Sequence, residues 1–286
     1  MILVTAATGQ VGRAALDALA AAGTELRALV RDPSAFEAPK GVQVVRGDFD
    51  DDTSIAEALE GVAVVLLAGR DGPDSVSQHH RVLAQVRQAG VRHVVKLSAI
   101  GASPKSPVTL MREHHEVDEE VRKGPAGWTL LKPHLFMQNL LRAADTVRRE
   151  GRLAAPMAGS RLPLVDTRDV GAAAAVVLRD PAAHAGKEYA LTGPAALGYD
   201  EVAAALAAVA GRAVTYEPVG PDEFEARLRA AGMPGWRAYD LAHIASAYGA
   251  AENTVSPDLA MLLGRSPTSL SEFLEDHRSA YSSDQE

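Results

Sequence analysis

Met1-Ile2-Leu3-Val4-Thr5-Ala6-Ala7-Thr8-Gly9-Gln10-Val11-Gly12 reads as a short buried strand, a tight glycine-containing turn and the start of an alanine-rich helix reaching about Ala22. Strand, turn and helix in that order open a dinucleotide-binding unit, in which the free backbone N–H groups of the first helical turn face a pyrophosphate. Gly9 lets the backbone approach phosphates, and Gly12 lets the helix lie close on the sheet. Ala6 stands where the first glycine of the usual turn is expected, so the fingerprint is incomplete. Its context, after a strand and before a helix, supports it. Ala7, Thr8, Gly9, Gln10, Val11 and Gly12 are therefore the expected pyrophosphate contacts, although the same residues also suit an ordinary β–α turn.

Outward from this unit, apolar runs rich in β-branched residues alternate with helical patterns. Residues 2–7, 25–31, 42–48, 62–68 and 93–98 read as strands, with helices near 10–22, 53–59 and 75–89 between them. Short apolar strands separated by helices pair in parallel, with both sheet faces covered. Asp52-Thr53 supplies a helix cap, Gly90 ends the helix before the fifth strand, and a polar helix at 110–123 precedes a sixth strand at 128–132. After residue 136 helices dominate (166–178, 200–210, 222–231, 258–263), with strand-like pieces at 187–192 and 213–219. The expected fold is α/β, a Rossmann-type doubly wound parallel sheet. Residues 1–150 form its dinucleotide-binding core. Residues 151–286 form a smaller, mainly helical lobe, closely packed and with elements returning to the core, over the carboxyl ends of the strands where such sheets bind ligands. The last residues, 282–286, are expected to fray.

Composition removes several classes of function. A net charge of −8 and only six lysines give no clustered basic surface for nucleic acid. Cysteine is absent, which excludes disulfides, a thiolate nucleophile and cysteine-based metal sites. His79-His80 and His114-His115 are adjacent pairs, and neighbours on a helix point about 100° apart, so no metal site is expected. No apolar run approaches membrane-spanning length and the amino terminus carries no signal-peptide pattern. A soluble, cytoplasmic protein acting on a small molecule is expected; the sequence leaves its oligomeric state open.

Candidate cofactor contacts cluster at strand ends. Arg31 ends the second strand, where an acidic residue would select NAD; its guanidinium can instead hold a 2′-phosphate, so NADP is the expected cofactor. Asp32, one residue later, would favour NAD if it turned inward. Asp48 can bond the adenine amino group with Phe49 beside the ring, or the pair is a helix cap and a core aromatic. Leu67-Ala68-Gly69 suits close passage of backbone along the cofactor, and Ser98 ends the fifth strand near the nicotinamide position.

Taken in order, these segments resemble the NmrA-like branch of the atypical short-chain dehydrogenase/reductases, which includes NAD(P)H:quinone oxidoreductases. Thr5–Gly12 resembles its TGATGxxG turn apart from Ala6, Val30–Pro33 its VRxP segment, Gly47–Asp50 its GDxxD, and Val91–Ser98 its fifth strand. His114-x-x-x-Asp118 resembles an HxxxE helix element. Thr129–Asn139 is similar to TxLRPxxFMEN with Lys132 in place of Arg, and Val165–Gly171 and Tyr189–Pro194 match later elements. The resemblance spans nearly the whole chain. It implies a Rossmann fold with a substrate cleft under the carboxyl-terminal lobe.

The wider superfamily protonates its product with a Tyr-x-x-x-Lys pair, and none of the six tyrosines here has lysine four residues later. Reducing a simple ketone makes an alkoxide whose conjugate acid resembles water, with a pKa of about 15.7, and which needs a positioned acid. Reducing a quinone makes a phenolate-like oxygen with a pKa of about 10. The missing pair therefore points to hydride transfer onto a quinone or polycyclic aromatic carbonyl, as in tailoring of an aromatic metabolite. The alternative is a redox-sensing NAD(P)-binding regulator without turnover. Catalytic candidates are Ser98, His114 and Lys132. His114 is either a proton donor or a surface histidine paired with Asp118, and Lys132 either holds a phosphate or substrate oxygen or faces solvent. Lys132 and Pro133 are also candidate cofactor contacts, and His134, Phe136, Met137 and Asn139 are candidates for the substrate mouth.

Overall fold

In the computed structural model, residues 1–282 are described; the expected fraying at 282–286 falls almost wholly outside them. The chain begins β1 (Ile2–Val4), α1 (Gln10–Ala21), β2 (Leu26–Val30), β3 (Val42–Arg46), α2 (Asp52–Ala58), β4 (Val64–Leu67), α3 (Ser75–Gln88), β5 (His93–Leu97), α4 (Thr109–Lys123) and β6 (Gly127–Pro133). It continues α5 (Ala144–Glu150), β7 (Arg152–Ala155), β8 (Arg161–Leu162), α6 (Thr167–Arg179), β9 (Lys187–Leu191), β10 (Leu197–Gly198), α7 (Tyr199–Ala210) and β11 (Thr215–Pro218). Five helices close it: α8 (Pro221–Ala230), α9 (Gly235–His243), α10 (Asp258–Leu263), α11 (Leu270–Asp276) and α12 (Arg278–Tyr281). Seven strands pair in the order β3-β2-β1-β4-β5-β6-β9, all parallel. The order reverses between β1 and β4, the switch point at which a doubly wound sheet opens a crevice.

Both faces of the sheet are covered, which is why its strands are apolar throughout. On one face α1, α6 and α10 bury Val11, Leu16, Leu19, Val170, Ala174, Val177, Leu259 and Leu262. On the other α2, α3 and α4 bury Ile55, Leu83, Val86, Val117 and Val121. Elements from beyond residue 150 pack with the core: β9 joins the sheet, α6 and α10 cover it, and Gly171 of α6 lies so close to α1 that a Cβ there would sit 2.5 Å from the Ala14 Cβ. A separate apolar cluster holds the lobe together through Met137, Leu153, Tyr199, Leu206, Phe273 and Tyr281. Among the described residues no helix is long and apolar enough to cross a membrane.

The opening turn depends on backbone contacts. Ala6 adopts φ +48°, a left-handed conformation that glycine takes without strain. Its carbonyl accepts the Gly9 N–H at 2.8 Å, and a Cβ at Gly12 would lie 2.3 Å from the same oxygen. The buried Thr5 hydroxyl approaches the Ala68 carbonyl at 2.6 Å and accepts the Ala68 N–H at 2.8 Å, tying the ends of β1 and β4 together.

Candidate active site

A cleft of about 320 Å³ opens at the carboxyl ends of β4, β5 and β6 and runs under α9. Gln10, Gly69, Ser98, His114, Pro133, His134, Phe136 and Asn139 line it, so the structure gathers these eight predicted residues around one space. Of the catalytic and substrate-mouth candidates, two lie elsewhere. Lys132 is held by Glu188 on the neighbouring strand β9, a carboxylate it shares with Arg122, so its charge is already matched outside the cleft. Met137 is 2% exposed and belongs to the lobe core.

The polar centre of the cleft was not predicted in this form. Lys96 stands next to the carboxyl end of β5, 1% exposed, and its ammonium pairs with Asp118 at 2.8 Å. Its remaining contacts are His114 Nδ1 at 2.9 Å and the His114 carbonyl at 3.3 Å. Ser98 donates its hydroxyl proton to the other Asp118 oxygen at 2.6 Å. Asp118 is therefore occupied by Lys96 and Ser98, and the expected His114–Asp118 pairing does not form. Ser98 has its proton committed and braces the carboxylate rather than acting as an acid toward substrate. The sequence did carry a signal: a charged residue within the apolar run His93–Leu97 of a strand covered on both faces requires a buried partner.

Two neutral histidines flank this network. Burial, followed by the nearby Lys96 charge, holds the His114 pKa well below its ordinary value. Burial pushes His79 down to about 4, against the opposing effect of its bond to the Ser75 carbonyl. His79 Nδ1 lies 2.7 Å from that carbonyl, so it carries the proton and leaves Nε2 a bare acceptor. An added Cβ at Gly69 would lie 2.4 Å from the His79 ring, so glycine is required at this end of β4. His134, also lowered to about 4 by burial, accepts the Leu135 N–H and stacks on Tyr248 with ring centroids 4.3 Å apart.

The outer wall comes from α9, which sequence periodicity missed because Pro234, Gly235 and a short length obscure it. It supplies Trp236, Arg237, Asp240 and Leu241. Asp240 accepts the Thr109 and Leu110 N–H groups at 2.9 and 3.2 Å, capping α4; burial nevertheless raises its pKa. Burial raises Asp71 too, and pushes Glu113 up to about 7 with help from Asp240 and Asp71.

The residues around the opening turn fit a dinucleotide. Helix α1 has no side-chain cap and no acidic residue in its first turn, leaving its N–H groups free for a diphosphate. Arg31 is exposed just beyond β2. Asp32 accepts the Ser34 hydroxyl and backbone N–H at 2.6 and 3.0 Å, bonds that lower its pKa and tie it to its own turn. Asp48 likewise accepts the Asp50 N–H, and Phe49 packs edge-on against His79.

The fold and this cleft define an NAD(P)-type Rossmann protein with its ligand space under a carboxyl-terminal lobe, and the chain belongs to the NmrA-like family, which matches residues 1–274. It is 36% identical over 236 residues to an NAD(P)H azoreductase of Xenophilus azovorans, covering 82% of each chain. It is 34% identical over 283 residues to a (4-alkanoyl-5-oxo-2,5-dihydrofuran-3-yl)methyl phosphate reductase of Streptomyces griseus, covering 98% of this chain and 99% of the other. A solved NADPH-dependent quinone oxidoreductase from Escherichia coli in complex with NADPH superposes with a TM-score of 0.88 at 28% identity, over 97% of this chain and 99% of that one.

Proposed function

We propose that this protein reduces quinones or polycyclic aromatic carbonyl compounds with NADPH. It is an NAD(P)H-dependent oxidoreductase of small aromatic substrates, with relatives that reduce azo compounds and quinones. The observation that carries the finer reading is a neutral imidazole, His114, that lines the cleft with no partner on Nε2 among the described residues, in a chain without a Tyr-x-x-x-Lys pair. A phenolate-like product oxygen can form with a hydrogen bond from such a group, whereas an alkoxide needs the positioned acid that the missing pair would have supplied.

Bound NADPH supplies the hydride. The chain's own residues orient the reactants: the first turn of α1 holds the diphosphate, and Arg31 is available to the 2′-phosphate while Asp32 is engaged in its own turn. Phe136, Trp236 and Tyr248 offer apolar surface to an aromatic ring, and His114 Nε2 faces the carbonyl oxygen as a hydrogen-bond donor. Steady-state NADPH oxidation with a simple quinone, a polycyclic quinone and an aliphatic ketone tests this. Turnover of the quinones with little reduction of the ketone is expected. Tight NADPH binding without turnover of any quinone would overturn the reading in favour of a cofactor-sensing role.

A further inference from the structure

We propose that Lys96 is a positioning residue for the reaction, its ammonium fixing the proton of His114 on Nε2 and replenishing it through Nδ1 during turnover. The inference rests on the reading of His114 as the donor to the substrate oxygen, and it assigns a role to a buried charge that the fold alone does not require.

Three neighbours surround the Lys96 nitrogen: an Asp118 oxygen at 2.8 Å, His114 Nδ1 at 2.9 Å and the His114 carbonyl at 3.3 Å. The Asp118 carboxylate 2.8 Å away, a buried charge with no other cation beside that oxygen among the described residues, keeps Lys96 protonated. A protonated lysine has only N–H groups and no lone pair, so Nδ1 accepts from it and the neutral imidazole carries its proton on Nε2. Among the described residues Nε2 has no hydrogen-bond partner, and His114 lines the cleft. The histidine thus presents an N–H to a ligand because a buried cation stands behind it. Asp118 keeps that cation charged, and Ser98 holds Asp118 in place by its 2.6 Å bond.

The proton movements balance. Hydride addition at the ring moves the carbonyl π pair onto the substrate oxygen, which takes the Nε2 proton as that N–H bond breaks. Nδ1 then takes a proton from Lys96, so His114 stays neutral and the lysine becomes a neutral amine beside the Asp118 carboxylate. After product leaves, solvent protonates Nε2 as the Nδ1 proton returns to the Lys96 nitrogen, which restores the starting arrangement. The direction is feasible because a free lysine, with a pKa of about 10.4, is already close to phenol at about 10. Burial lowers Lys96 further, despite the opposing Asp118 charge. The groups facing this ammonium are Asp118, His114 and Arg122 from α4, Lys132 from β6, His79 from α3 and Asp71 beyond β4.

Nitrogen NMR of the cofactor-free protein with isotope-labelled histidine tests the first half. His114 should show a bare Nδ1 and a protonated Nε2, and this preference should be lost in Lys96→Met/Asp118→Asn, a double variant that leaves no uncompensated buried charge and keeps an acceptor for Ser98. Kinetics test the second half. In the double variant kcat for a quinone should fall about tenfold or more, the low side of what a positioned proton donor contributes, with KM little changed and with loss of the alkaline decline expected in the parent. A parent His114 protonated on Nδ1, or a folded double variant that keeps the parent's kcat and pH profile, overturns the proposal. A parent that reduces no quinone would sink the proposed function instead, and the NMR result alone would then decide the role of Lys96.

Discussion

Replacing Gly12 by Ala tests the most constrained part of the cofactor turn. The new Cβ would lie 2.3 Å from the Ala6 carbonyl oxygen and 3.0 Å from its carbon, both backbone atoms that no rotamer change can move aside. Ordinary contact begins near 3.4 Å, so the Ala6 peptide must retreat by roughly 1 Å. That retreat strains an overpacked contact at about 1–3 kcal/mol. It also weakens the 2.8 Å Gly9-to-Ala6 hydrogen bond that closes the turn, at about 1 kcal/mol. Alanine inside a helix returns about 1 kcal/mol relative to glycine, leaving a net loss of about 1–3 kcal/mol. Because the shift displaces the N–H groups at the start of α1, NADPH affinity should fall by about tenfold or more, a loss of about 1.4 kcal/mol. Urea unfolding and titration calorimetry with NADPH measure the two effects. Gly72→Ala, where an added Cβ meets nothing within 4 Å, is the matched control and should change stability by no more than about 0.5 kcal/mol. A Gly12→Ala protein as stable and as tight for NADPH as the parent would refute the packing of the turn described above.

Three further outcomes are expected. Arg31→Ala should weaken NADPH by about 1.5–3 kcal/mol and leave NADH nearly unchanged; equal losses for both, by calorimetry, would mean that Arg31 does not meet the 2′-phosphate. Ala6→Gly should keep or improve NADPH affinity with stability unchanged or raised by up to about 1 kcal/mol, because relief of the φ +48° conformation is partly offset by the entropy of an unfolded glycine; a large loss of affinity would show that the turn is built differently. Glu113 has a raised folded pKa of about 7, so it stays protonated in the folded state where the unfolded chain has ionised, and its contribution disfavours folding as pH rises from about 4.5 to 7. Glu113→Gln should therefore stabilise the protein by about 1 kcal/mol above pH 7, after allowance for screening of a half-exposed group, and by nothing near pH 4; a gain independent of pH would argue against that assignment.

The core of the fold was legible because its signals are local. Residues 1–12 state strand, turn and helix directly, and the remaining strands of the sheet follow from apolar runs bounded by helix caps. The positions proposed for the cofactor follow from the same signals, since such a unit places its contacts at strand ends in a fixed order. The chemical half was legible only in pieces. His114 and Ser98 were visible, but their organiser, Lys96, lies 18 residues before His114 in the chain and meets it only when α4 packs on the sheet. Spacing along α4 suggested that His114 and Asp118 pair with each other; tertiary packing turned both toward a third residue. Lys132 was misjudged for a related reason: its partner Glu188 arrives on β9, which joins the sheet from far along the chain. Helix α9 was hidden by its brevity and its flanking Pro234-Gly235, so the outer wall of the cleft was not predicted.

The capping of α4 ties the site to a distant part of the chain. Val108 at the start of α4 offers no side-chain cap, and the helix instead borrows a carboxylate from Asp240, 131 residues later in the sequence. The contact that brings Asp118 to Lys96 does not involve the first turn of α4, whereas the cap of that turn comes from α9, the same helix that places Trp236 and Leu241 over the cleft. Completion of the helix that carries His114 thus depends on a long-range contact. A chain cut before residue 240 would retain the sheet residues of the site but lack both Asp240, the cap on the helix that carries His114, and the part of the outer wall that follows it.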